Sequence, residues 1–487
     1  MFTPPRIAGL LTVLAVGLRL VDLTAWPLPF HPTVQYDCAL AARAIWLAAD
    51  PSQRTGERAA WFDAVGFGHV ITPPVLPGLV AGCYLIAGEE IPWVSKLFAA
   101  GFWVAAGWFT YLAVVRQTGS RWAALGAFAW FTFAPFGLLV SRSFQAEPVL
   151  ACGFAVAVWY LSWPGRGLSW RDTLTAGCTC GLCAFAKPGV LFIPLLAGFA
   201  VRVAPLAHAR GSDGRTRIAA HLAAFAMLMA GPSVLYAKLV LGQRGGELMP
   251  ELLADRWFYV GVGKMVATAV GCPALAAGLV GAWLAARAGN RLPAALLVGY
   301  LGYVGLFTYH CATHDYYHTP LMVLVAVGLG WVSTLMRPRH VCAWALLAIL
   351  ALVCVEPWRY PRVVRTTDTG DRRTAYERAR QVVGPGAKVV AVTEDYGLPL
   401  EAQTWLRVCF WPRRVDTPVM IRAGVLPMDF TADGYLAGLV ADGCEFAVVT
   451  DFAEYDAQPE LRAALARRGR LVASAPGLLV YDLRPGS

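Results

Sequence analysis

Residues 91–115 read IPWVSKLFAAGFWVAAGWFTYLAVV and end against Arg116, with Arg121 close behind. A helix crosses a bilayer with roughly 17 to 25 predominantly apolar residues, and this run, with a single lysine, meets that length. Comparable blocks begin near Ile7, Trp122, Glu147, Thr173, Val190, Ile218, Met265, Leu292, Thr319 and Val341. Together they predict an α-helical polytopic membrane protein of about eleven spans. Composition agrees: of 487 residues 57% are hydrophobic and only 15% charged, where soluble domains carry about 25% charged residues. Mean hydropathy is +0.53.

The formal charge of +10 could suggest nucleic acid. The arginines instead occupy short connections, with no basic stripe carrying interleaved aromatics, so no nucleic-acid partner is expected. Arg116 and Arg121; Arg166 and Arg171; Arg202, Arg210, Arg215 and Arg217; Arg287 and Arg291; and Arg337 and Arg339 all fall on one side. The positive-inside rule makes that side the cytoplasm. Ile7 to Leu23 follows a lone Arg6 without a small-residue cleavage site and reads as a retained signal anchor. The expectation is a multi-pass protein of the cytoplasmic (inner) membrane with its N-terminus inside and its C-terminal domain outside. The 12 cysteines are scattered, and Cys178, Cys180 and Cys183 lack the paired spacing of a zinc site.

Residues 1–356 form the predicted transmembrane domain, with a long first outer loop over about 25–90. In that loop, Asp37 to Leu47 reads as an interfacial helix, and Val75 to Ala87, after Pro73-Pro74, as a second segment too short to span. Beyond Glu356 charged residues become frequent, and 357–487 reads as a small extracytoplasmic α/β domain. Its pattern predicts helices at Thr374–Val383, Tyr435–Asp442 and Gln458–Arg468. Strands are predicted at Lys388–Val392, Glu445–Thr450, Arg470–Ala475 and Leu478–Leu483.

Three polar clusters lie on the predicted outer face. Asp37, in HPTVQYD (31–37), is a candidate general base for a hydroxyl nucleophile, or else a residue at a helix start that favours the macrodipole. Glu147, in SRSFQAEP (141–148), is a second candidate catalytic carboxylate or a charge partner of Arg142. Arg142 offers a planar fork of donors to a phosphate. The third cluster, His314, Asp315, Tyr316, Tyr317 and His318 with His310 nearby, suits a divalent metal, a phosphate or sugar contact, or interfacial tyrosine anchoring. Tyr36, His69 and Lys187 complete the candidate substrate contacts. After the strand at Lys388–Val392, Glu394-Asp395-Tyr396-Gly397 reads as a turn. No glycine-rich dinucleotide fingerprint is present, which disfavours a nucleotide-sugar donor.

With these residues in view, the chain resembles the polytopic GT-C glycosyltransferases. In particular it is similar to the bacterial glycosyltransferase family 39 relatives of protein O-mannosyltransferases and of the aminoarabinose transferase that modifies lipid A. The resemblance rests on Gly17-Leu18-Arg19-Leu20, Tyr36-Asp37 with Ala41-Ala42-Arg43, Thr72-Pro73-Pro74 with Leu76-Pro77-Gly78, residues 141–148, Ala186-Lys187-Pro188, and HDYYHTP at 314–320. It implies transfer of a sugar from a polyprenyl-phosphate donor within the membrane lipid to a hydroxyl of a protein, lipid or glycan, with inversion. It further implies Asp37 as base and Arg142 and Lys187 as cations on the departing phosphate. Many relatives carry an Asp-Glu pair in the first loop, where this chain has Cys38 after Asp37, and aminoarabinose transferases place a lysine where Thr72 stands. A transporter or flippase of a lipid-linked substrate is the rival reading. It predicts ionisable residues in mid-span and internal repeats. An inactive GT-C-like scaffold is a third.

Overall fold

A computed structural model describes residues 3–21, 23–24, 30–70, 73–162, 169–186, 194–201, 212–236, 249–336, 340, 369–422 and 424–484. Lys187, Thr72, Arg166, Arg202, Arg210, Arg337, Arg339 and the block from Val341 lie outside the described residues. Contacts divide the chain into two compact units. One comprises Met1–Trp26, Ile71–Leu76 and Trp93–Tyr360; the other comprises Pro27–Val70, Pro77–Pro92 and Pro361–Ser487.

The first unit is helical. Its helices include Pro4–Leu20, Val94–Thr118, Arg121–Phe133, Glu147–Leu161, Trp170–Ala186, Ser212–Tyr236, Leu292–Leu306 and Thr319–Ser333, at the positions of the apolar blocks. Among the described residues Val94–Thr118 alone is both apolar and long enough to cross a bilayer as one helix. Glu147–Leu161 and Leu292–Leu306 are apolar but shorter. The block expected to cross from Met265 is two helices, Arg256–Val270 and Cys272–Arg287, bent by 88°. Gly271 at φ +76° and a proline in the first turn of the second helix cause the break. Val13, Val260, Val298 and Leu301 leave more than half of their surface exposed on these helices, faces suited to lipid contact.

Small residues set the closest helix approaches. A Cβ on Gly281 would collide with the backbone of Gly328, and one on Gly328 with that of Gly278. Cys272–Arg287 and Thr319–Ser333 therefore cross almost backbone to backbone, as helices do where no hydrophobic effect drives their association. Trp103 stacks on Phe131 at 4.8 Å, over Gly137. At a helix end, the Gln117 carbonyl accepts from Asn290 Nδ2 (3.1 Å) and Trp331 Nε1 (3.0 Å), while its amide donates to Ser162 Oγ (2.7 Å).

The second unit joins Pro27–Val70 and Pro77–Pro92 to the C-terminal part of the chain. Its sheet has the order β2-β1-β3-β5-β4, with β1 Lys388–Val392, β2 Arg407–Phe410, β3 Phe446–Val449, β4 Arg470–Ala475 and β5 Leu478–Asp482. β1, β2 and β3 run parallel; β5 is antiparallel to β3 and to β4. Val389 and Ala391 point into a core with Tyr376, Leu400 and Phe446, while Val390 and Val392 point into another with Trp411, Leu436 and Leu461. A central strand buried on both faces needs this unbroken apolar run. Thr369–Val383, Ala432–Ala441 and Pro459–Arg468 are helices, as the pattern predicts; β2 and the helix Leu398–Thr404 carry no signal strong enough to be read beforehand.

Candidate active site

The outer-loop helix runs Pro32–Ala49, starting earlier than its apolar face suggests because Pro32 fills its first position. Asp37 thus sits in the second turn, and no acidic residue occupies the first. That removes the macrodipole reading, since the effect is confined to the terminal turn. The neighbouring helix Glu57–Val65 is closed by Gly66 at φ +49°, and the turn beyond it brings His69 back to Asp37.

His69 lies between two carboxylates. Its Nδ1 is 2.9 Å from Asp37 Oδ1, and its Nε2 is 3.3 Å from Glu401 Oε1. Glu401 belongs to the helix Leu398–Thr404, which follows β1. The fully buried Trp61 stacks parallel to the His69 ring, at 6.4 Å between centroids, and donates its indole N–H to the same Glu401 oxygen at 2.8 Å. Burial opposes the charged imidazole, but hydrogen bonds to Asp37 and Glu401 outweigh it and raise the His69 pKa to about 9. His69 is therefore an imidazolium at neutral pH.

Arg43 locks this cluster from the side. It binds both oxygens of Glu90 (2.5 and 3.0 Å) and donates to the backbone carbonyls of Ala402 (2.5 Å) and Glu401 (3.3 Å). Its guanidinium lies 3.7 Å from the Trp405 ring centre. Tyr36 is buried, and its hydroxyl accepts from Gln403 Nε2 at 3.2 Å; burial first of all pushes its pKa up to about 12. Thr33 donates to Asp395 at 3.3 Å in the turn after β1. In that turn, Asp395, Tyr396 and Gly397 all adopt positive φ.

In the helical unit, Glu147 is buried in the first turn of its helix. Arg142 is also buried, and its Nη2 donates to the Val21 carbonyl. Beside it, Arg19 Nε donates to Ser141 Oγ (2.6 Å) and Nη2 to the Thr132 carbonyl (2.8 Å). Of the third cluster, His310 stacks on Tyr317 at 4.9 Å, and His314 Nδ1 meets Thr313 Oγ1 at 2.6 Å. Burial, followed by the charges of Tyr317, Glu147 and Asp315, pushes the Tyr316 hydroxyl up. His318 is fully buried, with Nδ1 on Tyr300 Oη (2.5 Å) and Nε2 on the Cys311 carbonyl (2.8 Å). Neither ring nitrogen is left for a metal or a substrate. Among the described residues no group of three His, Cys, Asp or Glu side chains is arranged to hold a metal ion, and no step below is routed through one.

Sequence reasoning counted His69 as a substrate contact and missed Glu401 altogether. Nothing local marks Glu401, since it meets His69 across 332 residues of sequence.

The helical body with a small mixed sheet near its C-terminus is a fold found in known structures. Two solved structures of the aminoarabinose transferase ArnT from Cupriavidus metallidurans share it. One, bound to undecaprenyl phosphate, matches with a TM-score of 0.60 and 15% identity, covering 98% of this chain and 98% of its own. The other, in the apo state, matches at 0.60 and 14%, covering 98% and 97%. No protein-family model matches the chain, and no curated protein does.

Proposed function

We propose that the protein is a membrane glycosyltransferase that moves one sugar from a polyprenyl-phosphate donor to a hydroxyl acceptor on the extracytoplasmic face. The observation that carries this reading is the fold shared along nearly the whole chain with ArnT bound to undecaprenyl phosphate. In the reaction, the acceptor oxygen attacks the anomeric carbon and Asp37 takes the hydroxyl proton. The bond from that carbon to the phosphate oxygen breaks, and its electron pair leaves with the lipid phosphate. Arg142 and Lys187 are the cations proposed to meet the growing phosphate charge, and Glu147 to position the acceptor. Attack on the face opposite the phosphate inverts the sugar.

Purified protein supplied with defined polyprenyl-phosphate sugars and hydroxyl acceptors tests the reading. Removing a general base typically lowers turnover by about 10²- to 10⁴-fold, and that loss is expected of Asp37→Asn. Wild-type turnover in Asp37→Asn removes the assigned role.

A further inference from the structure

We infer that Glu401, carried by the C-terminal domain, is a positioning residue for this reaction: through His69 it orients Asp37 and keeps a cation beside it. The inference rests on the glycosyltransferase reading for its catalytic meaning and on geometry for the rest.

Ionised carboxylates are acceptors only, whereas a neutral imidazole has one N–H and one lone pair. With Asp37 Oδ1 at one ring nitrogen and Glu401 Oε1 at the other, a neutral ring would turn its lone pair toward a carboxylate. The arrangement is satisfied only when both nitrogens carry protons. Glu401 is itself held in place, its side chain by the Trp61 indole N–H and its backbone carbonyl by Arg43. Asp37 and Glu401 are the charged groups that bear on His69. Arg43 reaches the Glu401 carbonyl and has its own charge paired with Glu90.

The consequence for Asp37 is a fixed carboxylate plane. One oxygen is bound to the imidazolium, and the side chain keeps 27% of its surface exposed for an acceptor. The cation also stands directly beside the carboxylate proposed to take the acceptor proton. Glu401→Gln should uncouple these effects without changing shape. The Gln amide can donate to His69 Nε2, so the ring stays in place as a neutral imidazole with Nδ1–H still on Asp37.

The test has two arms, both on the full-length protein in detergent. In the first, histidine-labelled NMR follows the titration of His69, assigned through His69→Gln. The wild-type ring should lose its proton near pH 9. In Glu401→Gln its proton affinity should fall by at least about tenfold, and Glu401→Asp, which keeps the charge, should restore a raised titration. A wild-type ring titrating near 6.5, or a Glu401→Gln titration coincident with wild type, overturns the inference.

In the second arm, Glu401→Gln should leave KM for donor and acceptor unchanged and move the alkaline limb of the kcat/KM profile to lower pH, following the new His69 titration. If Asp37→Asn abolishes transfer while the Glu401→Gln profile superimposes on wild type, the positioning role is refuted and the glycosyltransferase reading stands. If wild-type protein transfers no sugar, that reading fails and the NMR arm alone decides whether Glu401 sets the charge beside Asp37.

Discussion

Replacing Arg43 with methionine should loosen the attachment of the helix Leu398–Thr404 to the outer-loop helix. Arg43 is almost fully buried, and it bonds the Glu90 carboxylate together with the carbonyls of Glu401 and Ala402. Breaking a buried ion pair from one side costs roughly 3–5 kcal/mol. Water reaches Glu90, whose side chain is 23% exposed, which pulls the figure to the lower end. The Ala402 carbonyl losing its Arg43 donor and the lost stacking on Trp405 push it back up, while the Glu401 carbonyl keeps the Trp405 backbone N–H; the terms share one network and do not add. A working value is about 4 kcal/mol, and at 1.4 kcal/mol per decade the helix amides should exchange roughly 10³-fold faster with solvent. Hydrogen exchange with mass spectrometry on full-length protein reads this directly, with peptides from the Lys388–Val392 strand as the internal control. Arg43→Lys keeps a charge but loses the planar fork and should fall between the two. Exchange at Leu398–Thr404 within tenfold of wild type in Arg43→Met would refute the assignment of Arg43 as the lock.

Stability should also depend on pH through His69. Its folded pKa of about 9 lies above the ordinary 6.5, so the contribution is fully present below pH 6.5 and is lost as pH rises through 9. The shift corresponds to roughly 3 kcal/mol at most; thermal midpoints between pH 6 and 9.5 should fall more steeply in wild type than in His69→Gln, and parallel curves count against it. Gly281→Leu should prevent the close crossing with Thr319–Ser333, because its side chain would enter the Gly328 backbone. Overpacking costs about 1–3 kcal/mol or more, seen as a lowered melting temperature and a loss of monodisperse protein on size exclusion. Gly281→Leu protein as stable as wild type would mean the helices do not cross there.

The parts of the fold legible beforehand are those whose pattern is local. Lys388–Val392 is a continuous β-branched run, and the structure places a strand over those five residues; Val75–Ala87 follows two prolines and is a helix with the same bounds. The strand Arg407–Phe410 is only four residues long and half-buried throughout, so neither alternation nor an apolar run announces it. The block expected to span from Met265 is bent by 88°, a feature that hydropathy averages over and that Gly271 produces with one positive φ. The candidate site divides in the same way. Asp37 and Tyr36 are proposed from one local stretch, 31–37. The His69 environment depends on Glu401 and Trp61, which meet only after the sheet has formed.

The missing second acid beside Asp37 now has a physical answer. A carboxylate directly after Asp37 would place a second negative charge beside it, which Cys38 does not. Glu401 restores a second carboxylate at one remove, with the His69 imidazolium between the two, so the trio carries a net single negative charge instead of two. That arrangement makes the placement of Asp37 depend, through His69, on a residue delivered by the C-terminal domain. A mutation that unseats the helix Leu398–Thr404 should therefore be felt at Asp37 even when Asp37 and its own helix are intact.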